Sequence, residues 1–105
     1  MADANLIRAI TKDIVDHFNP KRIILFGSHG RGEGSPDSDL DLFIEMETDL
    51  RPPERAIAVS SLFGLRTWPL DIVVYTPEEV QRLKNVKGTL LSTIESEGKV
   101  LYARS

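Results

Sequence analysis

Residues 23–44 read IILFGSHGRGEGSPDSDLDLFI, and this stretch decides the fold. An apolar run ends at Gly27-Ser28, a Gly-rich polar loop follows, and the chain becomes apolar again from Asp39 onward. Short apolar runs bounded by Gly, Pro, Ser and Asp are typical of β-strands. The stretch therefore predicts two strands, at about residues 22–26 and 39–46. The loop between them has room for one helical turn after Ser28, and residues 35–38 form a turn that sets the register of the second strand.

Two carboxylates stand on one face of the second predicted strand. Asp39 and Asp41 are two residues apart, and the side chains of a strand alternate with a period of two. Two neighbouring carboxylates repel each other unless a cation lies between them. This arrangement beside a Gly-Ser loop predicts a divalent metal site next to a phosphate-binding loop. Glu45 is on the same face, but it lies too far along the strand to join the metal ligands.

Length and composition indicate one small globular domain. The chain has 105 residues, a net charge of −3, 41% hydrophobic and 28% charged residues, and no cysteine. We expect residues 1–105 to form a single domain with no disulfide or cysteine-bound metal. The acidic balance argues against stable nucleic-acid binding, and no signal peptide or membrane-spanning stretch is evident. We therefore expect a cytoplasmic protein.

The remaining pattern alternates helices and strands. Apolar residues at helical spacing predict an amphipathic helix at about 4–18, which Asn19-Pro20 ends. A helix is predicted at about 53–65, with Ile57, Leu62 and Leu65 on its buried side. Residues 70–75 are the most β-branched stretch and predict a third strand.

The C-terminal third follows the same alternation. Thr76, Pro77 and Glu79 have the chemistry of a helix start, with Glu79 completing a capping box. A further helix at about 88–96 would direct Leu90, Leu91 and Ile94 inward and end at Gly98. Residues 99–102 predict a short edge strand. The order of elements indicates an α/β (α+β) fold in which helices pack on a small mixed β-sheet.

A third acid, Asp71, lies near the start of the third strand. If the second and third strands are neighbours, Asp71 reaches the carboxylates of Asp39 and Asp41. Three carboxylates beside a phosphate-binding loop suggest two-metal phosphoryl or nucleotidyl transfer. In that reading all three acids hold Mg²⁺, and Asp71 also helps to remove a proton from the acceptor hydroxyl. Gly27 and Ser28 would contact a phosphate through the backbone and the hydroxyl, and Arg31 would offer charge to a triphosphate.

Two common nucleotide-binding motifs do not fit this loop. It lacks the Gly-Lys-Ser/Thr ending of a P-loop and the G-x-G-x-x-G of a dinucleotide-binding fold. We expect His29 to be a loop side chain and Trp68 to plug the core or an edge of the sheet.

The loop and the acids together resemble a known family. Gly27-Ser28, ten intervening residues and Asp39-x-Asp41 resemble the signature of the DNA polymerase β-like nucleotidyltransferase superfamily. The fuller run FGSHGRG followed by SDLDL is similar to its minimal nucleotidyltransferase (MNT) branch, and Leu70-Asp71-Ile72-Val73 matches that branch's third acidic strand. The resemblance covers nearly the whole chain.

The resemblance implies a mixed sheet with its acids on adjacent strands, two Mg²⁺ ions and ATP as the donor. Many MNT proteins are encoded beside a helical HEPN protein and act as its antitoxin, and some transfer AMP to a tyrosine of that toxin. Two alternatives stay open. One is an antitoxin that acts by binding alone, and the other is a small-molecule nucleotidyltransferase of the aminoglycoside-modifying type.

Overall fold

A computed structural model describes residues 4–32, 39–64 and 69–104. Its sheet has four strands in the order β3-β2-β1-β4. Their bounds are β1 Arg22–Phe26, β2 Leu40–Glu45, β3 Leu70–Tyr75 and β4 Lys99–Ala103. β1 is antiparallel to both β2 and β4, whereas β2 and β3 are parallel. The sheet is mixed, as the sequence predicted.

Five helices accompany the sheet in the described part of the chain. They are α1 Ala4–Phe18, the single turn α2 Gly27–Gly30, α3 Pro52–Ser60, α4 Pro77–Leu83 and α5 Leu90–Glu97. A 3₁₀ turn, Ser61–Phe63, extends α3. None of the described helices is long and apolar enough to cross a membrane.

The alternation of side chains along the strands gives the sheet two apolar faces. Leu40, Leu42 and Ile44 of β2 pack with Ile10 and Ile14 of α1 and with Val59 of α3 on one face. Phe43 packs on the other face with Val80 of α4 and with Leu91 and Ile94 of α5. Asp41, two residues before Phe43, shares this second face. The sidedness predicted for β2 is therefore confirmed.

Local sequence chemistry sets the helix ends. The Thr76 hydroxyl accepts from the Glu79 amide at 3.2 Å, and Glu79 Oε1 accepts from the Thr76 amide at 2.9 Å. These two bonds form the predicted capping box of α4. Gly98 caps α5 by donating its amide to Ile94 O at 2.8 Å. A Cβ at Gly98 would meet the side chain of Ile24, which explains the small residue between α5 and β4.

Two predicted orientations are wrong. Ile57 of α3 is 65% exposed, and Arg55 and Val59 are the buried residues of that helix. Leu90 is 47% exposed because it lies at the N-terminal end of α5, whose buried residues are Leu91 and Ile94. α3 also ends earlier than predicted, since the chain tightens into the 3₁₀ turn at Ser61. The expectations for the turn at 35–38, for Leu65 and for Trp68 lie outside the described residues.

Candidate active site

The site is built where two parallel strands begin. Asp41 of β2 and Asp71 of β3 are direct register partners in the sheet. Their side chains point to the same face, because register partners in a parallel pair share their orientation. Neighbouring strands lie about 4.8 Å apart, so the two carboxylates are adjacent. Thirty positions of sequence separate two groups that the sheet brings side by side.

The loop that follows β1 reaches the same point. Phe26, the last residue of β1, is the register partner of Asp41 on the antiparallel side. Gly27 follows with a φ of +70°, a left-handed conformation that favours glycine. A Cβ at Gly27 would overlap the Asp41 carboxylate, with the carboxyl carbon only 3.1 Å away. A side chain is excluded here because the backbone runs against the acid.

The crowding of acids alters the titration of Asp41. Burial, the neighbouring Asp71 carboxylate and the charge of Asp39 together raise the pKa of Asp41 from 3.8 to about 6. His29 acts in the opposite direction and lowers it slightly. The raised pKa means that burial and the neighbouring acids disfavour the ionised form of Asp41 more than His29 favours it.

The three acids differ in how closely they associate. Asp41 and Asp71 interact directly, whereas Asp39 is exposed, precedes β2 and acts on Asp41 through its charge. Within residues 4–32, 39–64 and 69–104, no three acidic, histidine or cysteine side chains have the spacing of a metal site. Two carboxylates nevertheless fit Mg²⁺, which usually takes one or two protein carboxylates and completes its shell with water and substrate phosphates.

The predicted phosphate-contacting residues lie on and after α2. Ser28 is the second residue of this turn, and the Arg31 amide donates to Gly27 O at 3.2 Å. The Arg31 guanidinium lies 3.4 Å from Glu97 Oε1 at the end of α5, and both side chains are about half exposed. Arg31 therefore borders the site while in contact with α5.

Two features of this face were not predicted from the sequence. The first is the environment of Glu45, which is only 2% exposed. Its Oε1 accepts from Arg22 Nε at 2.6 Å, and Arg22 also contacts Glu95 and stacks on the Phe43 ring. Arg22 and Glu45 are register partners on adjacent strands, so their pairing could be found only once the register was known.

The second feature is His29. Its Nε2 is buried and has no hydrogen-bond partner among the described residues. The residue follows Ser28 directly, and its charge favours the ionised form of Asp41. No pattern in the sequence indicated this proximity.

Comparison with known families tests what the geometry suggests. A model of the nucleotidyltransferase domain matches residues 7–86, a range that includes Gly27, Ser28, Arg31 and all three acids. The chain belongs to this nucleotidyltransferase family. A candidate protein adenylyltransferase of Methanocaldococcus jannaschii is 31% identical over 98 residues, which cover 89% of this nucleotidyltransferase and 92% of the relative.

Solved structures agree with the fold of this nucleotidyltransferase. A crystal structure described as a candidate nucleotidyltransferase from Sulfolobus solfataricus has a TM-score of 0.65 at 20% identity. The match covers 95% of the nucleotidyltransferase and 79% of that chain. A toxin–antitoxin crystal structure with AMP-PNP has a TM-score of 0.59 at 21% identity, covering 93% and 74% respectively. The predicted fold class and the predicted family are confirmed.

Proposed function

We propose that this nucleotidyltransferase transfers AMP from ATP to a hydroxyl of a partner protein, with Mg²⁺ as its cofactor. The observation that carries the proposal is the adjacency of Asp41 and Asp71 at the point where the Gly27 backbone meets Asp41. The name of the M. jannaschii relative and the ATP analogue in the toxin–antitoxin structure support adenylyl transfer.

The acids have distinct roles in this proposal. Asp39 and Asp41 would hold the metal ions, and Asp71 would be a further ligand that also acts on the acceptor hydroxyl. Mg²⁺, bound as two ions, supplies charge that stabilises the attacking and leaving oxygens of an in-line displacement. The raised pKa of Asp41 and the hard oxygen donors of the pair fit such a cation.

The chemical step exchanges one phosphorus–oxygen bond for another. The acceptor oxygen bonds to the α-phosphorus of ATP as the bond to the bridging oxygen of the β-phosphate breaks. Pyrophosphate leaves, and the hydroxyl proton passes to the Asp71 carboxylate. Gly27 and Ser28 orient a phosphate through the backbone and the hydroxyl, while Arg31 faces the triphosphate charge.

We further propose that the acceptor is a tyrosine of a helical HEPN toxin and that the reaction takes place in the cytoplasm. The toxin–antitoxin structure supports a toxin as the partner.

The test is an incubation with ATP labelled at the α-phosphate, Mg²⁺ and the protein encoded beside this chain. Label on that protein supports the proposal, provided that Asp41→Asn removes it and Asp16→Asn, an exposed control on α1, does not. A complex that forms without label, unchanged in Asp41→Asn, would indicate inhibition by binding alone. Label on an added aminoglycoside and not on the protein would indicate the small-molecule alternative.

A further inference from the structure

We propose that the free edge of β3 at Leu70–Ile72, together with the cleft beside Ile57, docks an extended segment of the acceptor protein and presents its hydroxyl to Asp71. The inference rests on the proposed function for the reaction, but the docking itself does not depend on catalysis. Four observations on the described residues support it.

The first is the direction of the backbone groups of β3. Pro69 O accepts from the Leu40 amide at 3.1 Å, and Tyr75 O accepts from the Met46 amide at 3.0 Å. In a parallel pair, the residues that bond the neighbouring strand alternate with those that point away. Asp71 and Val73 therefore bond β2, and the amides and carbonyls of Leu70 and Ile72 point outward from the sheet. β3 is the last strand of the sheet in the described part of the chain.

The second observation is that, among the described residues, a side chain closes one end of this edge. Val74 O, the next outward carbonyl, accepts from Arg55 Nη1 at 3.4 Å. Arg55 is 7% exposed and is fixed by Leu50 O and by Glu79 at 2.7 Å. The side chain therefore closes the edge at Val74. An added strand would therefore bond the outward amides and carbonyls of Leu70 and Ile72, at the end of β3 that contains Asp71.

The opposite edge of the sheet, formed by β4, is less suited to pairing with an added strand. The pairing of β4 with β1 shifts register between Ile23 and Ile24, and β4 begins with the exposed Lys99. Irregular pairing and edge lysines are features that disfavour strand addition. The pairing of β3 with β2 has no such shift over six consecutive residues. The third observation is thus that the regular edge is the one beside the acids.

The fourth observation is a cleft of about 210 Å³ at the same place. It is lined by α3 and β3, through Ala56, Ile57, Ser60, Leu70, Asp71 and Ile72. Clefts that enclose a small-molecule ligand usually measure about 300–1,000 Å³. The cleft is therefore suited to a single side chain. The 65% exposure of Ile57 leaves apolar surface for that side chain to cover.

An added strand would use both faces of this edge. Its residue opposite Asp71 places its side chain on the face of the acids, within about 5.5 Å between Cβ atoms. The flanking residues point to the other face, where the cleft and Ile57 lie. The structure therefore assigns the acceptor segment a hydroxyl residue with an apolar neighbour one position away.

Ile57→Asp tests the docking site, and Val100→Asp is its matched control. Both replace an exposed aliphatic residue with a carboxylate, and Val100, 56% exposed, lies on β4 at the opposite edge. The probe is the protein encoded beside this chain. We expect Ile57→Asp to weaken the complex and to raise the KM for this acceptor at least tenfold, while Val100→Asp matches the wild type. Ile57→Leu should restore binding, and unfolding curves check that each variant is folded.

Hydrogen exchange gives a second measurement on the unmodified chain. We expect the amide of Ile72 to become protected in the complex and the amide of Val100 to keep its exchange rate. Label transfer with equal affinity in the two Asp variants and no protection at Ile72 would overturn the docking site and leave the proposed function standing. A complex that depends on Ile57 but carries no label would uphold the docking site and overturn the transferase proposal. No complex and no label would overturn both.

Discussion

Gly27 packs directly against the side chain of Asp41, so a Cβ at residue 27 would overlap the Asp41 carboxylate. The contact joins the end of β1 to the middle of the site. In the proposed reaction, backbone that passes this close to the Asp41 carboxylate would also approach a phosphate bound beside that carboxylate. The glycine therefore serves the site in two ways, through its φ of +70° and through its missing side chain.

Replacing this glycine should separate these two effects. We expect Gly27→Ala to lower the rate of AMP transfer about 100-fold or more, because Asp41 must move. Gly88→Ala is the control, since Gly88 has a φ of +82° and no atom within 4 Å of the added Cβ. The control should lose about 1 kcal/mol of stability and keep its activity. Equal losses of activity in both variants would show that backbone strain, and not contact with Asp41, is what matters.

Asp71→Asn should abolish transfer without unfolding the protein. Loss of a metal ligand and proton acceptor is expected to lower kcat by about 10²–10⁴. In the absence of metal, removing the charge beside Asp41 should leave stability at pH 7 unchanged or raise it by less than about 1 kcal/mol, since Asp71 is exposed and solvent screens its charge. Denaturation with and without Mg²⁺ measures this. A variant less stable than the wild type without metal would contradict the assignment of Asp71 to a repulsive pair.

Glu45 should prove structural although it shares the face of Asp41. Glu45→Ala removes the buried one of the two carboxylates that pair with the Arg22 guanidinium, and we expect a loss of about 2–4 kcal/mol. Asp16→Asn breaks the exposed Lys12–Asp16 pair on α1 and should cause no measurable change. Urea unfolding gives the stabilities. A loss of Mg²⁺ affinity in folded Glu45→Ala would contradict this prediction and indicate that Glu45 helps to bind the metal.

The Arg55–Glu79 pair should make the fold sensitive to acid. Burial acts to raise the pKa of Glu79, but hydrogen bonds from Arg55 and Thr76 outweigh it and hold the pKa below the usual 4.5. A lowered pKa means that the unfolded chain binds the proton more readily, so this stabilisation is complete above pH 4.5 and is lost as the pH falls further. We expect Glu79→Gln to be less stable than the wild type at pH 7, with the difference shrinking toward pH 3. A difference that stays constant over that range would contradict the shift.

Arg31 should act on the nucleotide and not on the fold. We expect Arg31→Ala to raise the KM for ATP about tenfold or more, as expected for loss of a hydrogen bond to a charged group. Arg8→Ala, an exposed change on α1, should leave the KM unaltered. Initial rates at varied ATP concentration, with unfolding curves for both variants, provide the measurement. An unchanged KM in Arg31→Ala would limit the residue to its contact with Glu97.

Most of the secondary structure could be predicted from local sequence patterns. The bounds of α1, β1 and β3 agree with the prediction, because apolar residues at helical spacing and β-branched runs are strong local signals of helix and strand. The capping box at Thr76 follows from four residues in a row. The face of α3 was predicted wrongly because Arg55 satisfies its charge by reaching Leu50 O, Val74 O and Glu79, and no spacing of apolar residues reveals this.

The candidate site residues could be predicted from sequence motifs, but their spatial arrangement depended on the order of the strands. The adjacency of Asp41 and Asp71 required β2 and β3 to be neighbours, and the structure places them in register. The looser position of Asp39 and the pairing of Arg22 with Glu45 depend on side-chain packing and strand register, which the sequence does not encode locally. The metal and nucleotide roles of these residues stay predictions for the experiments above.

The order β3-β2-β1-β4 has a consequence for how the enzyme is made. β1 is synthesised well before one of its two neighbours, β4, at residues 99–103. A nascent chain that already contains every acid of the site still has one side of its central strand unpaired. The middle of the sheet is therefore completed only after residues 99–103 have been synthesised, and a change in that segment would affect the pairing of β1, the strand that leads into Gly27.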